Sequence, residues 1–307
     1  FSLALPTRGF QIKIMKRPFS HNILTFSLFL FSVSATQGKV ASPIEGAEHL
    51  AYKEASGSNL ILNVFYPEGH DPKKDKRPAI VFFFGGGWSG GNPAQFEPHC
   101  EYLSSRGMVA MSADYRVKSR QGTPPFECVK DGKSAVRWIR QNAKKLGVDP
   151  ERLAAGGGSA GGHVAAATGT VSGLEEEGED LSVSSKPDAL ALFNPVYDNG
   201  PKGYGHSRVA ERYKEISPIH NIRKGTPPAI VFLGDRDSLI PVSTAEKYKA
   251  LMEKAGSRSD LHVYAGQPHG FFNKGKKGNY YEKTVLEMDK FFISLGWLKG
   301  KPKIKVP

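Results

Sequence analysis

The segment that most constrains this chain is Arg152-Leu153-Ala154-Ala155, followed at once by Gly156-Gly157-Gly158-Ser159-Ala160-Gly161-Gly162 and an alanine-rich stretch. The first four residues suit a short strand, and residues 160–169 suit a helix of small side chains. Glycines on both sides of one serine mark a turn where strand and helix approach too closely for side chains. Residues 157–161 read G-x-S-x-G, a pattern that holds a serine hydroxyl clear of the backbone on a strained strand-to-helix turn. Five such residues recur by chance, so the strand before and the helix after carry the weight of the reading.

The rest of the chain repeats that alternation. Strand formers fill Leu60–Tyr66, Ala79–Phe84 (after Pro78), Met108–Ala113, Ala189–Phe193, Ala229–Leu233 and Leu261–Tyr264. Helical stretches are expected over 126–146, 243–255 and 280–295; in the first, Val129, Ala135, Val136, Ile139 and Leu146 fall near one apolar face and Gly147 ends the run. The alternation predicts an α/β fold, a mostly parallel central sheet with helices on both faces. With 307 residues, 39% apolar and 23% charged, a single domain with a sizeable core is expected. Residues 172–187, acidic and polar, read as an exposed loop. Residues 196–225, with Gly200, Pro201, Gly203 and Gly205, are a candidate lid or pocket wall, with a plain surface excursion as the alternative.

The first 35 residues are set apart. Met15-Lys16-Arg17-Pro18, an apolar run from Ile23 to Val33, and the small-residue site Val33-Ser34-Ala35 follow the order of a secretory signal peptide starting at Met15. The apolar run is shorter than a ~20-residue membrane span, so no stable membrane insertion is expected after cleavage. The fold is therefore assigned to 36–307, as a secreted or periplasmic catalytic domain. Loss of Arg8, Lys13, Lys16 and Arg17, with no acid among 1–35, takes the net charge from +12 to +8. The basic residues are scattered and no nucleic-acid-binding motif is present, so no nucleic-acid partner is expected. Export permits a disulfide, and Cys100 and Cys128 allow one; two separate buried thiols are the alternative. Neither cysteine has a second ligand at metal spacing, so no metal site and no cofactor are expected.

Two further signals complete a chemistry. Phe84-Gly85-Gly86-Gly87-Trp88 follows an apolar strand, and glycines there let backbone N–H groups approach a developing oxyanion. That makes Gly86, Gly87 and Ala160 the expected donors. A dinucleotide-binding loop fails on spacing, since residues 85–91 do not give G-x-G-x-x-G opening a helix. Later, Gly234-Asp235-Arg236-Asp237-Ser238-Leu239-Ile240-Pro241 follows one strand and Gln267-Pro268-His269-Gly270 follows another. The order Ser159, Asp237, His269 is that of one kind of serine-hydrolase triad. Asp235 is the second candidate for the acid, with a bracing role otherwise.

Together, Gly85 to Trp88, Ala113-Asp114-Tyr115-Arg116, Gly157 to His163, Asp237 to Pro241 and Pro268-His269-Gly270 resemble the α/β-hydrolase esterases. The nearest groups are the acetyl-xylan-esterase-like, feruloyl-esterase-related enzymes and the hormone-sensitive-lipase-like esterases. The resemblance spans about residues 45–297. It implies the α/β-hydrolase fold and a Ser-His-Asp esterase acting on short acyl esters, including acetyl groups on polysaccharides. A serine peptidase or an arylformamidase on the same scaffold is the alternative. Phe84 stands where the family's oxyanion loop usually begins with His, so packing must replace that brace. Asp114 and Arg116 are expected to form a buried ion pair. Trp88, Tyr197 and Tyr204 are candidates for the pocket wall.

Overall fold

The structure, a computed structural model, describes residues 41–307 together with Phe1 and Ser2. The signal segment expected over 15–35 lies outside the described residues. Contacts divide the chain into two units, 1–35 and 36–307.

Eight strands form one sheet: β1 (Glu48–Ala55), β2 (Ser58–Phe65), β3 (Arg77–Phe83), β4 (Val109–Ala113), β5 (Val148–Gly158), β6 (Ala189–Phe193), β7 (Ala229–Gly234) and β8 (Ser259–Tyr264), in the order β1-β2-β4-β3-β5-β6-β7-β8. The β1/β2 and β2/β4 pairs are antiparallel; β4, β3, β5, β6, β7 and β8 run parallel. The helices are α1 (Glu97–Ser105), α2 (Lys118–Gln121), α3 (Pro125–Gln141), α4 (Ala143–Leu146), α5 (Ala160–Thr170), α6 (Val242–Lys254) and α7 (Tyr280–Ser294).

The parallel strands are apolar on both sides because each side faces helices. In β3, Ala79, Val81 and Phe83 join the core shared with α3, α5 and α6, while Ile80 and Phe82 join the core shared with α1 and α7. β4, β5, β6 and β7 alternate in the same way. Cys100 on α1 and Cys128 on α3 sit in these two different cores, and both are free and buried. Of the two alternatives for the cysteines, the structure has separate thiols.

Three elements differ from expectation. β1 is an edge strand in which only Tyr52 is buried, so its sequence lacks a strong strand pattern. In α1 the buried positions are His99, Cys100 and Leu103, too few apolar groups to mark a helix face. The helix expected over 126–146 breaks at Asn142, and Gly147, at φ 64°, closes α4 in the left-handed conformation.

Residues 172–187 form a loop without helix or strand, and three of its acids are paired with cations of the fold. Glu175 pairs with Lys133 at 2.7 Å and with Arg137 at 2.5 Å, Glu179 pairs with Arg137, and Glu176 pairs with Lys53 and, at 3.1 Å, with Arg116. Below them Asp131, fully buried on α3, binds Lys53 and Arg116, each at 2.7 Å. Arg116 thus pairs with Asp131, Glu127 and Glu176, while Asp114 pairs with Arg120. The expected Asp114–Arg116 pair does not form, because the two side chains are taken by partners on different helices.

Candidate active site

Every parallel strand from β3 to β8 ends at the same edge of the sheet, the usual place for ligands in such folds. Five turns at that edge make the site. Ser159 follows β5 directly at φ 55°, ψ −118°, an unfavourable conformation for a side-chain-bearing residue, and α5 begins at Ala160. The close approach is severe: a Cβ on Gly161 would lie 2.0 Å from the Phe83 carbonyl oxygen, so only glycine fits.

His269, in the turn after β8, holds its Nδ1 2.7 Å from Asp237 Oδ2 and its Nε2 2.9 Å from Ser159 Oγ. A carboxylate only accepts hydrogen bonds, so Nδ1 carries the proton and Nε2 is left to accept the serine hydroxyl. Asp237, in the turn after β7, is itself fixed: its Oδ1 accepts N–H bonds from Leu239 at 2.8 Å and Ile240 at 3.0 Å. Asp235 does different work, accepting the Gly266 N–H at 2.6 Å and tying the β7 turn to the β8 turn. Of the two candidate acids, the structure brings Asp237 to the histidine.

The turn after β3 carries Gly86 and Gly87. Gly86 sits at φ 130°, and a Cβ there would lie 2.2 Å from the Gly90 carbonyl oxygen. The amides of Gly86, Gly87 and Ala160 have no hydrogen-bond partner among the described residues, which leaves them able to meet a developing oxyanion. Phe84 stacks on Tyr115 with ring centroids 4.2 Å apart, and the Tyr115 hydroxyl donates to the Phe84 carbonyl at 2.6 Å. Burial holds the Tyr115 pKa well above its ordinary value, so the hydroxyl stays a donor. Packing does replace the missing histidine brace, but not alone.

Two residues that sequence reasoning missed finish the frame. Gln95 accepts the Gly85 N–H at 2.6 Å and donates to Asn273 Oδ1 at 2.9 Å, linking the glycine turn to the segment after His269. Asn194, the residue after β6, adopts φ 33° and accepts the Gly270 N–H at 2.9 Å. Asn-Pro after a strand reads as an ordinary turn, and nothing local marks Gln95.

Ser159 and His269 open into a cavity of about 390 Å³ whose wall includes Gly86, Gly87, Tyr204, Arg208, Leu239 and Phe272. Of the three candidate wall residues, only Tyr204 lies on this cavity. Tyr197 is fully buried and stacks on Tyr248 of α6 at 3.9 Å, inside the core. Trp88 is turned inward at φ 56° against His163, ring centroids 5.0 Å apart, and lines a neighbouring cavity. Burial pushes the His163 pKa down to about 4 and keeps that ring neutral beneath Trp88. Segment 196–225 forms short 3-10 helices at His206–Arg208, Ala210–Glu215 and Pro218–His220, and supplies Tyr204 and Arg208 to the cavity wall.

This arrangement agrees with what the chain is similar to. The family described as BD-FAE matches residues 62–198, and the prolyl oligopeptidase family matches residues 181–293. Carboxylesterase NlhH of Mycobacterium tuberculosis is 35% identical over 241 residues, covering 70% of this chain and 72% of that protein. An acetylxylan esterase of Xylanibacter ruminicola is 26% identical over 250 residues, covering 76% of this chain and 48% of the relative. Thermogutta terrifontis esterase 2 in its apo form superposes with a TM-score of 0.81 at 46% identity, covering 85% of this chain and 98% of that one. The chain belongs to the α/β-hydrolase esterases. It spans about half the length of several curated relatives that it matches.

Proposed function

We propose that this protein hydrolyses carboxylic esters of short acids through an acyl-enzyme on Ser159. The observation that carries the reading is the continuous hydrogen-bond chain from Asp237 through His269 to Ser159 Oγ. Ser159 Oγ attacks the ester carbonyl as its proton passes to His269 Nε2. The oxyanion takes hydrogen bonds from the backbone amides of Gly86, Gly87 and Ala160. His269 then protonates the departing alcohol. A water that gives its proton to His269 attacks the acyl carbon, the acid leaves, and Ser159 regains its proton. Asp237 holds the ring and stabilises its cationic form.

A short acyl group is supported by the small cavity and by the relatives: Thermogutta terrifontis esterase 2 has been solved with propionate and with butyrate bound. Acetyl groups on polysaccharides are the natural substrate this reading favours, given the acetylxylan esterase relative and the export pattern over residues 15–35. Export is tested by sequencing the N-terminus of protein recovered outside the cytoplasm; a retained residue 16 would refute cleavage.

The deciding assay is hydrolysis of para-nitrophenyl acetate, butyrate, octanoate and laurate by wild type and Ser159→Ala. The variant is expected to lose several orders of magnitude in turnover while folding normally. Faster turnover of the twelve-carbon than the two-carbon ester would overturn the short-acyl reading. The prolyl oligopeptidase match covers the half holding Asp237 and His269, so the matching acetanilide belongs in the same assay. Anilide turnover without ester turnover would make the chain an amidase.

A further inference from the structure

A second cavity of about 370 Å³ adjoins the catalytic one and shares Gly87, Ser89 and Arg208 with it. We propose that it is an anion-binding subsite, which takes a carboxylate carried on the alcohol portion of the ester between Arg208 and Lys118. The proposal rests on the ester-hydrolase reading of Ser159 and names the substrate class for it.

Four observations converge here. Arg208 lies exposed at the junction of the two cavities, where its guanidinium donates to the Gly87 carbonyl and packs 5.6 Å from the Trp88 ring and 5.7 Å from the Tyr204 ring. Those contacts aim a planar cation beside the oxyanion turn, yet they neutralise none of its charge. Among the described residues neither Arg208 nor Lys118 pairs with a carboxylate, although most other arginines of this chain do. Among the described residues no Asp or Glu lines either cavity. The Thr123 hydroxyl, on the wall of the second cavity, is buried without a hydrogen-bond partner.

Two uncompensated cations in one small concavity raise the local potential and attract an anion. A guanidinium already fixed by stacking and one carbonyl keeps further N–H donors for a carboxylate, and little side-chain entropy is lost when it binds. The carboxylate belongs to the alcohol rather than the acid, because a short unbranched acyl group such as acetyl carries none, and Arg208 is exposed at the junction of the two cavities. An acetyl ester of an acidic sugar and an acetyl ester of an aromatic acid share this chemistry.

The experiment compares kcat/KM for 4-acetoxybenzoate with that for its uncharged methyl ester, in wild type, Arg208→Gln and Lys118→Gln. Glutamine at 208 retains a donor for the Gly87 carbonyl, and the anionic-to-neutral ratio cancels any general change in rate. The ratio is expected to fall roughly fivefold to tenfold in Arg208→Gln and roughly twofold to threefold in Lys118→Gln, the scale of exposed charge contacts, and to fall with added salt most in wild type and least in Arg208→Gln. An unchanged ratio in both variants, with the neutral ester still turned over, overturns the subsite and leaves the hydrolase reading intact. Failure of wild type to hydrolyse either ester overturns both. An acetylated uronic-acid oligomer beside an acetylated neutral xylo-oligomer separates the sources. A preference for the acidic oligomer that Arg208→Gln abolishes assigns the subsite to acidic sugars; its absence, with the small-ester ratio still falling, assigns it to aromatic acids.

Discussion

Ser159 and His269 are 110 residues apart in the chain, and Lys53 and Glu176 are 123 apart, yet each pair is in hydrogen-bond contact. The first pair belongs to the proposed catalytic edge and the second to the ion cluster of residues 172–180. At the catalytic edge each residue sits in the turn just after a parallel strand, so the sheet gathers them whatever the loops contain. In the ion cluster the partners come from β1, α3 and a loop, and no repeated local geometry gathers them. The edge is rich in backbone donors with one buried carboxylate, Asp237. The cluster holds Asp131, Lys53, Lys133, Arg116 and Arg137, all nearly buried, which would be costly without the acidic loop. The proposed catalytic chemistry depends on where turns fall, whereas the stability of the α3 side depends on charge balance across long separations.

That contrast can be broken by mutation. The largest effect is expected from Asp237→Asn, which disturbs the tautomer and orientation of His269. Turnover of para-nitrophenyl acetate should fall roughly four orders of magnitude. The same change at Asp235 should cost little activity, and equal losses would mean that the two acids share the role. Asp131→Ala is next. Removing it leaves Lys53 and Arg116 buried beside too few acids, and a loss of about 3–5 kcal/mol in denaturant unfolding is expected, with near-normal kcat/KM in the protein that remains folded. A large loss of activity without a loss of stability would join the cluster to the active site.

His99 sharpens the same distinction between buried charge and buried neutrality. Its ring lies among Phe82, Phe96, Phe193, Phe272 and Tyr281, with neither nitrogen partnered, and burial pushes its pKa down to about 3. The unfolded chain binds this proton near pH 6.5 and the folded one does not until about pH 3. Stability is therefore full above pH 6.5 and falls as the pH drops through that window, by about 2 kcal/mol at pH 5. His99→Phe should reduce the loss between pH 8 and pH 5 by about that amount; an unchanged difference in unfolding free energy would refute it. The smallest effect is expected from Gln95→Ala, which frees the Gly85 N–H and the Asn273 side-chain carbonyl oxygen. A fall of about tenfold in kcat with little change in KM is expected. A change confined to KM would place Gln95 in substrate binding instead.

What could be read from the chain follows the same division. The G-x-S-x-G turn, the glycines after β3 and the late Asp and His were legible because each is a short local pattern bound to a strand end. The sheet and most of its helices were legible because strands buried on two faces must be apolar throughout. β1 and α1 escaped because they bury too little apolar surface to leave a pattern. Gln95 and Asn194 escaped because their partners, Gly85 and Gly270, are chosen by folding and not by spacing.

From residues alone, then, the chain determined a mostly parallel α/β sheet and a serine, an acid and a histidine placed in turns at strand ends. Local backbone geometry and hydrophobic period suffice for that. Only the tertiary structure decided which aspartate meets His269, that Tyr197 and Trp88 turn away from the cavity at Ser159 while Arg208 enters its wall, and that an acidic stretch read as an exposed loop serves as counter-charge for α3. Those outcomes depend on which distant side chains compete for one buried position, and that competition is resolved by packing and desolvation once the chain has closed on itself.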